Sequence, residues 1–163
     1  MNTVKTIFFL GQAPAKPGGK HEIPGAYLHA WLHKMGLDDI DIQKYCHFYA
    51  LTDAFPGAGK GGHLPPAKAQ IALHRPVLKE ALAAIQPAVI VPVGKMAISE
   101  ITKEKNAVLE KYIGTKFTIN PFEALPHKIT CLPLPHPSGR SAWNHMHKEL
   151  VERALELLKN EVS

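Results

Sequence analysis

The chain has 163 residues, 45% of them hydrophobic, which is ordinary for a globular protein and enough for one domain with a proper core. Apolar runs such as Ile7–Leu10 and Ala88–Val91 are far too short to span a bilayer, and the first residues lack a signal-peptide pattern, so a soluble, cytoplasmic protein is expected. A net charge of +5 and a pI near 9.2 permit a polyanionic partner without requiring one.

Cys46 and Cys131 stand apart without CxxC spacing. They build neither a zinc site nor an iron–sulfur cluster, and both read as buried thiols. Of the ten histidines, His29 and His33 have the i, i+4 spacing of a helical metal pair, and His145 and His147 lie close together. Neither pair has an evident third ligand, so exposed helix histidines are expected and no metal or other cofactor.

Taken in chain order, Thr6–Leu10 reads as a short buried strand ended by Gly11-Gln12-Ala13-Pro14 and the Gly/Pro/Lys-rich segment Ala15–Lys20. A helix follows over Gly25–Met35, with Leu28, Trp31, Leu32 and Met35 on one face and Gly36 as its stop. Cys46–Leu51 is a second strand, running into Thr52-Asp53-Ala54-Phe55-Pro56 and a glycine-rich loop over Gly57–His63. That loop lacks the Lys-Ser/Thr ending of a nucleotide P-loop.

Pro65-Pro66 opens a helix reaching about Ala84. Val77, Leu78, Ala81, Leu82 and Ile85 form its buried face, and Lys68, His74, Arg75 and Lys79 a basic one. Ala88–Val93 is the clearest central strand, followed by Gly94-Lys95 and a short helix from about Ala97. Residues 103–128 read as irregular surface chain, with a possible strand over Thr115–Ile119. Ile129–Leu132 is the last strand. Prolines 133, 135 and 137 then fix the turn that carries His136, and a closing helix runs from Ser141 to about Asn160 on Met146, Leu150, Val151, Ala154, Leu155 and Leu158.

Strands alternating with helices predict an α/β fold: a three-layer α/β/α sandwich around a short, mostly parallel sheet, with residues 1–163 as a single domain. The loops Gly11–Lys20, Thr52–His63 and Pro133–Ser141 then open at one sheet edge.

Four segments, in order, resemble the uracil-DNA glycosylase superfamily. Phe8-Phe9-Leu10-Gly11-Gln12-Ala13-Pro14 is similar to its first motif, and Tyr49–Thr52 with Phe55-Pro56 lies where its second strand and loop belong. Pro87–Lys95 resembles the strand ending in Gly-Lys, and Leu132–Ser141 the last motif, His-Pro-Ser. The resemblance implies a monofunctional enzyme that flips a damaged base out of DNA and hydrolyses its N-glycosidic bond. His136 would stabilise the departing base by donating to its O2, as an oxyanion-hole donor does. Gln12 would help place the attacking water. Gly11, Ala13, Pro14, Tyr49, Thr52 and Asp53 would line the base pocket, and Ser138, Gly139, Arg140, Ser141 and Lys95 would hold DNA, with Arg140 in the wedge position.

The departures are specific. Gln12 replaces the glutamate of one first-motif pattern and Ala13 the aspartate of another; Asp53 and Glu22 are the nearest acids in plausible loops. The asparagine that reads uracil is absent from the end of the second strand, leaving Tyr49, Thr52 or Asp53 to serve. Tyr27, His21 and Phe55 are candidates for the stacking aromatic, with core packing the expected fate of Tyr27. Each site residue keeps a plainer reading: His136 as a strand-end histidine, Gln12 as a structural loop residue, Arg140 as a phosphate contact only. Two alternatives therefore stand beside the enzyme: a DNA- or base-binding module without turnover, and a flavodoxin-like nucleotide or small-molecule binder. The DNA reading expects a monomer with DNA as its partner and no membrane contact.

Overall fold

In the computed structural model, the structure describes residues 4–12, 25–52, 58–59, 62–63, 67–139 and 141–163. A five-stranded sheet is formed by β1 (Ile7–Gly11), β2 (Cys46–Ala50), β5 (Val89–Pro92), β6 (Phe117–Ile119) and β7 (Ile129–Cys131), in the order β2-β1-β5-β7-β6. All neighbours pair in parallel except β6, which runs antiparallel to β7 at the edge. β3 (Ala58–Gly59) and β4 (Gly62–His63) make a separate antiparallel ribbon, where the sequence suggested only a glycine-rich loop.

The alternation of the strands creates the layers. Ile7 and Phe9 of β1 and Val89 and Val91 of β5 face one side. They meet Leu28 and Leu32 of α1 (Ala26–Lys34), Ile42 of α2 (Asp39–Tyr45) and Leu155 and Leu158 of α7 (Lys148–Val162). Phe8, Leu10 and Ile90 face the other side, against Leu78 and Leu82 of α3 (Lys68–Ile85) and Ala97 and Ile101 of α4 (Lys95–Thr102). A sheet buried on both faces needs apolar residues at every strand position, which is why β1 and β5 read as unbroken hydrophobic runs. The fold is the expected three-layer α/β/α sandwich.

Local chemistry sets the helix boundaries. Gly36, at φ +91°, takes the left-handed conformation that stops α1. Asp38 caps α2, its carboxylate accepting from the Asp41 backbone N–H at 2.8 Å while Asp41 answers to the Asp38 N–H. Gln86 turns left-handed at the end of α3 and Pro87 prevents continuation. On the far side of the molecule, Glu161 of α7 accepts from Lys5, Lys116 and Thr130, tying the last helix to the start of the chain and to the β6–β7 edge.

Several expectations are corrected. Residues 103–128 are not simply surface chain: Ala107, Ile113 and Leu125 are buried, and α5 (Leu109–Tyr112) and a 3-10 turn (Pro121–Glu123) lie among them. The closing helix is two helices, α6 (Ala142–Met146) and α7, broken at His147, whose φ of −123° and ψ of 42° leave the helical region. The break turns Met146 outward, 79% exposed. Val77 is also exposed, one position off the stripe formed by Leu78 and Leu82. Cys46 and Cys131 are buried free thiols as expected; burial, with a smaller push from Asp41, raises Cys46 to about 12, and burial raises Cys131 further. Neither is available as a thiolate near neutral pH. Among the described residues, no helix is long and apolar enough to cross a membrane.

Candidate active site at the carboxyl edge of the sheet

The order of the strands reverses across β1 and β5, because the chain moves from β1 outward to β2 and then back past β1 to β5. A crevice opens at the carboxyl ends of parallel strands at such a point. The register brings the predicted segments to one level there. Gly11 pairs with Ala50 and Leu10 with Pro92, so Gln12 lies level with Leu51 on one side and Gly94 on the other. Val93 bridges Leu134, which puts Gly94 level with Pro135. Backbone bonds extend the sheet past its formal strands: Leu51 N–H donates to Gly11 O at 3.0 Å, Val93 N–H to Leu10 O at 2.8 Å and Gly94 N–H to Leu134 O at 2.8 Å.

Prolines shape the last segment. Pro133 and Pro135 cannot donate, whereas Leu132 and Leu134 do, to Ile90 O and Pro92 O at 3.0 Å each. Alternate residues thus pair with β5 while the prolines face away from it, and pairing ceases at Pro135. His136 emerges at that point, exposed at the crevice. Gly94 is its neighbour: buried, at φ +90°, with the position of a Cβ 4.0 Å from the His136 Cβ. Space would admit an alanine at 94; the backbone conformation is what favours glycine.

The loop after His136 is pinned from behind by α6. Ser141 caps that helix, its hydroxyl accepting from Asn144 N–H at 3.1 Å. The Asn144 side-chain amide donates to the His136 carbonyl at 2.9 Å, and His145 Nε2 donates to the Gly139 carbonyl at 2.8 Å. Asn144 Oδ1 is buried with no hydrogen-bond partner among the described residues. The Asn144 side chain thus holds the histidine-bearing turn from behind. Asn144→Ala removes that bond and should lower the thermal midpoint by a few degrees; if His136 acts on a bound base, base release should slow about tenfold with it. Melting curves and single-turnover rates on one preparation check both halves.

Gly139 touches the aromatic ring of Tyr27, the second residue of α1; a Cβ at 139 would overlap the ring and its hydroxyl. Tyr27 is 52% exposed and not packed in the core as the sequence suggested. Its helical phase explains this, since Leu28, Leu32 and Met35 are the buried stripe and Tyr27 falls just outside it.

The other predicted residues are distributed as follows. Gln12 is partly buried directly after β1, and Thr52 is buried (2% exposed) and hydrogen-bond-capable at the end of β2. Tyr49 lies further back: its ring stacks on Phe8 with centroids 4.7 Å apart and an interplanar angle of 6°, against the α3-side core. Ser138 is partly buried within the loop, and its carbonyl accepts from Ser141 N–H at 3.3 Å. Lys95 is exposed at the first position of α4. Its charge reaches Glu110, whose carboxyl is lowered by its own backbone N–H first, then by the Trp143 indole, and weakly by His147 and Lys95. Lys95 and α6 therefore border the same edge. Ala13, Pro14, Asp53 and Arg140, together with Glu22, His21 and Phe55, lie outside the described residues. The bonds of Asn144 and His145 back to the loop carry no local signature in the sequence, because they arise only from the placement of α6 against the turn.

A three-layer α/β/α scaffold thus carries a histidine turn at the carboxyl edge of its sheet, beside the ends of β1, β2 and β5. In a comparison with known families, residues 2–159 match the Uracil DNA glycosylase superfamily. The chain belongs to that superfamily, and with it comes a DNA-glycosylase-like role in general terms. A search of curated proteins gives no match.

Proposed function

We propose that the protein is a monofunctional DNA glycosylase, acting as one domain and as a monomer, that removes uracil or a related deaminated base from DNA. The observation that carries this reading is the turn at His136. It is fixed by Asn144 behind it and by the end of sheet pairing at Pro135, the residue level with Gln12 across β5, so that His136 follows one position beyond. Cleavage of the base–sugar bond places negative charge on the departing base and positive charge on the sugar. His136 would donate to the base oxygen, and Gln12 would hold the water that attacks the sugar. Thr52 would meet the edge of the base. Ser138, Gly139, Arg140, Ser141 and Lys95 would bind the flanking phosphates, with Arg140 filling the emptied stack.

A second reading, a binder of damaged DNA without turnover, is favoured by one observation: Gln12 stands in place of a carboxylate and cannot offset the developing cation. Oligonucleotides carrying uracil, hypoxanthine, xanthine or mismatched thymine separate the two. The enzyme leaves alkali-labile sites in at least one of them. The binder leaves none, yet holds the damaged duplex with an affinity that falls steeply with salt and is weakened by Arg140→Ala. Binding insensitive to salt would contradict both.

A further inference from the structure

We infer that His29, His33 and Asp39 form a binding site for a divalent transition-metal ion of the zinc type, on the α1–α2 surface and apart from the crevice. The i, i+4 spacing puts both imidazoles on one face of α1, their centroids 4.2 Å apart. The expectation that this pair lacks a third ligand is overturned by α2. Its first residue, Asp39, brings a carboxylate to both rings, with Oδ1 2.8 Å from His29 Nε2 and 2.7 Å from His33 Nε2. The three ligand atoms lie within 4.8 Å of one another.

Two imidazole nitrogens and one carboxylate oxygen select zinc and its neighbours and disfavour magnesium and calcium, which prefer all-oxygen shells. Ligands about 2.0–2.1 Å from a tetrahedral ion stand about 3.3 Å apart, so each carboxylate–imidazole distance opens by about half an ångström and the two nitrogens, within 4.8 Å of each other, settle to the same spacing. Both Nε2 atoms now face the carboxylate as donors. Ligation requires each Nε2 to give up that proton, the coordinated ring carrying its hydrogen on Nδ1. The rings and carboxylate are partly to largely exposed, with side-chain exposures of 36%, 45% and 75%, so water completes the coordination and the ion has an open path.

The surroundings favour a cation. Asp38 and Asp41 flank Asp39 in the capping box, a cluster of negative charge in a chain of net charge +5. The capping box also fixes the first turn of α2, so the third ligand is carried on an ordered backbone. An ion here would fasten the two consecutive helices that lead from β1 to β2, and α1 is the helix that carries Tyr27 to Gly139.

Tag-free protein dialysed against chelator and titrated with zinc chloride in a calorimeter tests the site, with cobalt(II) absorption as a second probe. One ion per chain should bind with Kd on the order of 1–10 µM, weaker than a closed four-ligand site. Zinc at about 100 times Kd should raise Tm by about 5–10 °C. Asp39→Asn and the double variant His29→Gln/His33→Gln should each weaken binding at least about tenfold and abolish the visible cobalt band. Circular dichroism of these surface variants establishes that they remain folded. No saturable binding up to about 100 µM, a limit set from that expected affinity, or undiminished binding in the double variant, overturns the assignment.

Discussion

Replacing His136 with alanine is expected to lower the rate of base release by about 10²–10³-fold, the loss found when a donor aimed at a developing oxyanion is removed. The side chain is exposed, and Asn144 bonds to the backbone carbonyl of residue 136, which alanine retains. A melting curve of the variant checks that the fold is kept. A donor to the leaving base strengthens its bond as charge develops, so kcat should fall while the Kd for uracil-containing duplex barely moves. Single-turnover release measured alongside equilibrium binding separates the two quantities. An unchanged rate would remove His136 from the chemistry; a large loss of binding with kcat preserved would make it a DNA contact instead.

The second large effect runs the other way. Gln12→Glu is expected to raise the rate of release about 10²-fold at neutral pH, because a carboxylate both takes a proton from the attacking water and offsets the positive charge on the sugar. Gln12 is partly buried at the end of β1, level with Gly94, and glutamate is nearly the same size. The gain should have a pH signature: the variant's rate rises as the new carboxyl ionises, from an unperturbed pKa of about 4.3, whereas wild type lacks that limb. A variant no faster than wild type would place the water elsewhere, with Asp53 and Glu22 as the acids to replace next.

The central sheet was readable because β1, β2, β5 and β7 are short apolar runs ended by glycine, proline or threonine, and α1 and α3 carry long helical stripes. Helix α2 was not. Seven residues give too little periodicity, and its start rests on an Asp–Asp version of the capping box, without the usual Glu or Gln. That omission also hid the third member of the histidine cluster, since Asp39 meets α1 only through the packing of consecutive helices. The antiparallel course of β6 is likewise a tertiary result, because a three-residue strand has no local sign of direction. The same division holds at the site. His136 was legible because three alternating prolines announce a strand that must stop, whereas Asn144 and Tyr27 come to the loop from helices on either side of it.

The proposed chemistry stands or falls on turnover. The direct measurement is release of uracil from a uracil-containing oligonucleotide, single- and double-stranded, by excess wild-type protein, followed by alkali cleavage and strand sizing. The protein is predicted to cut the oligonucleotide at the uracil position only after alkali, with the His136→Ala variant slower by about 10²–10³-fold under the same conditions. Intact strands after prolonged incubation, not only with uracil but also with hypoxanthine, xanthine and mismatched thymine, in protein that still binds these oligonucleotides, would contradict the assignment and leave a damage-binding protein on a glycosylase scaffold.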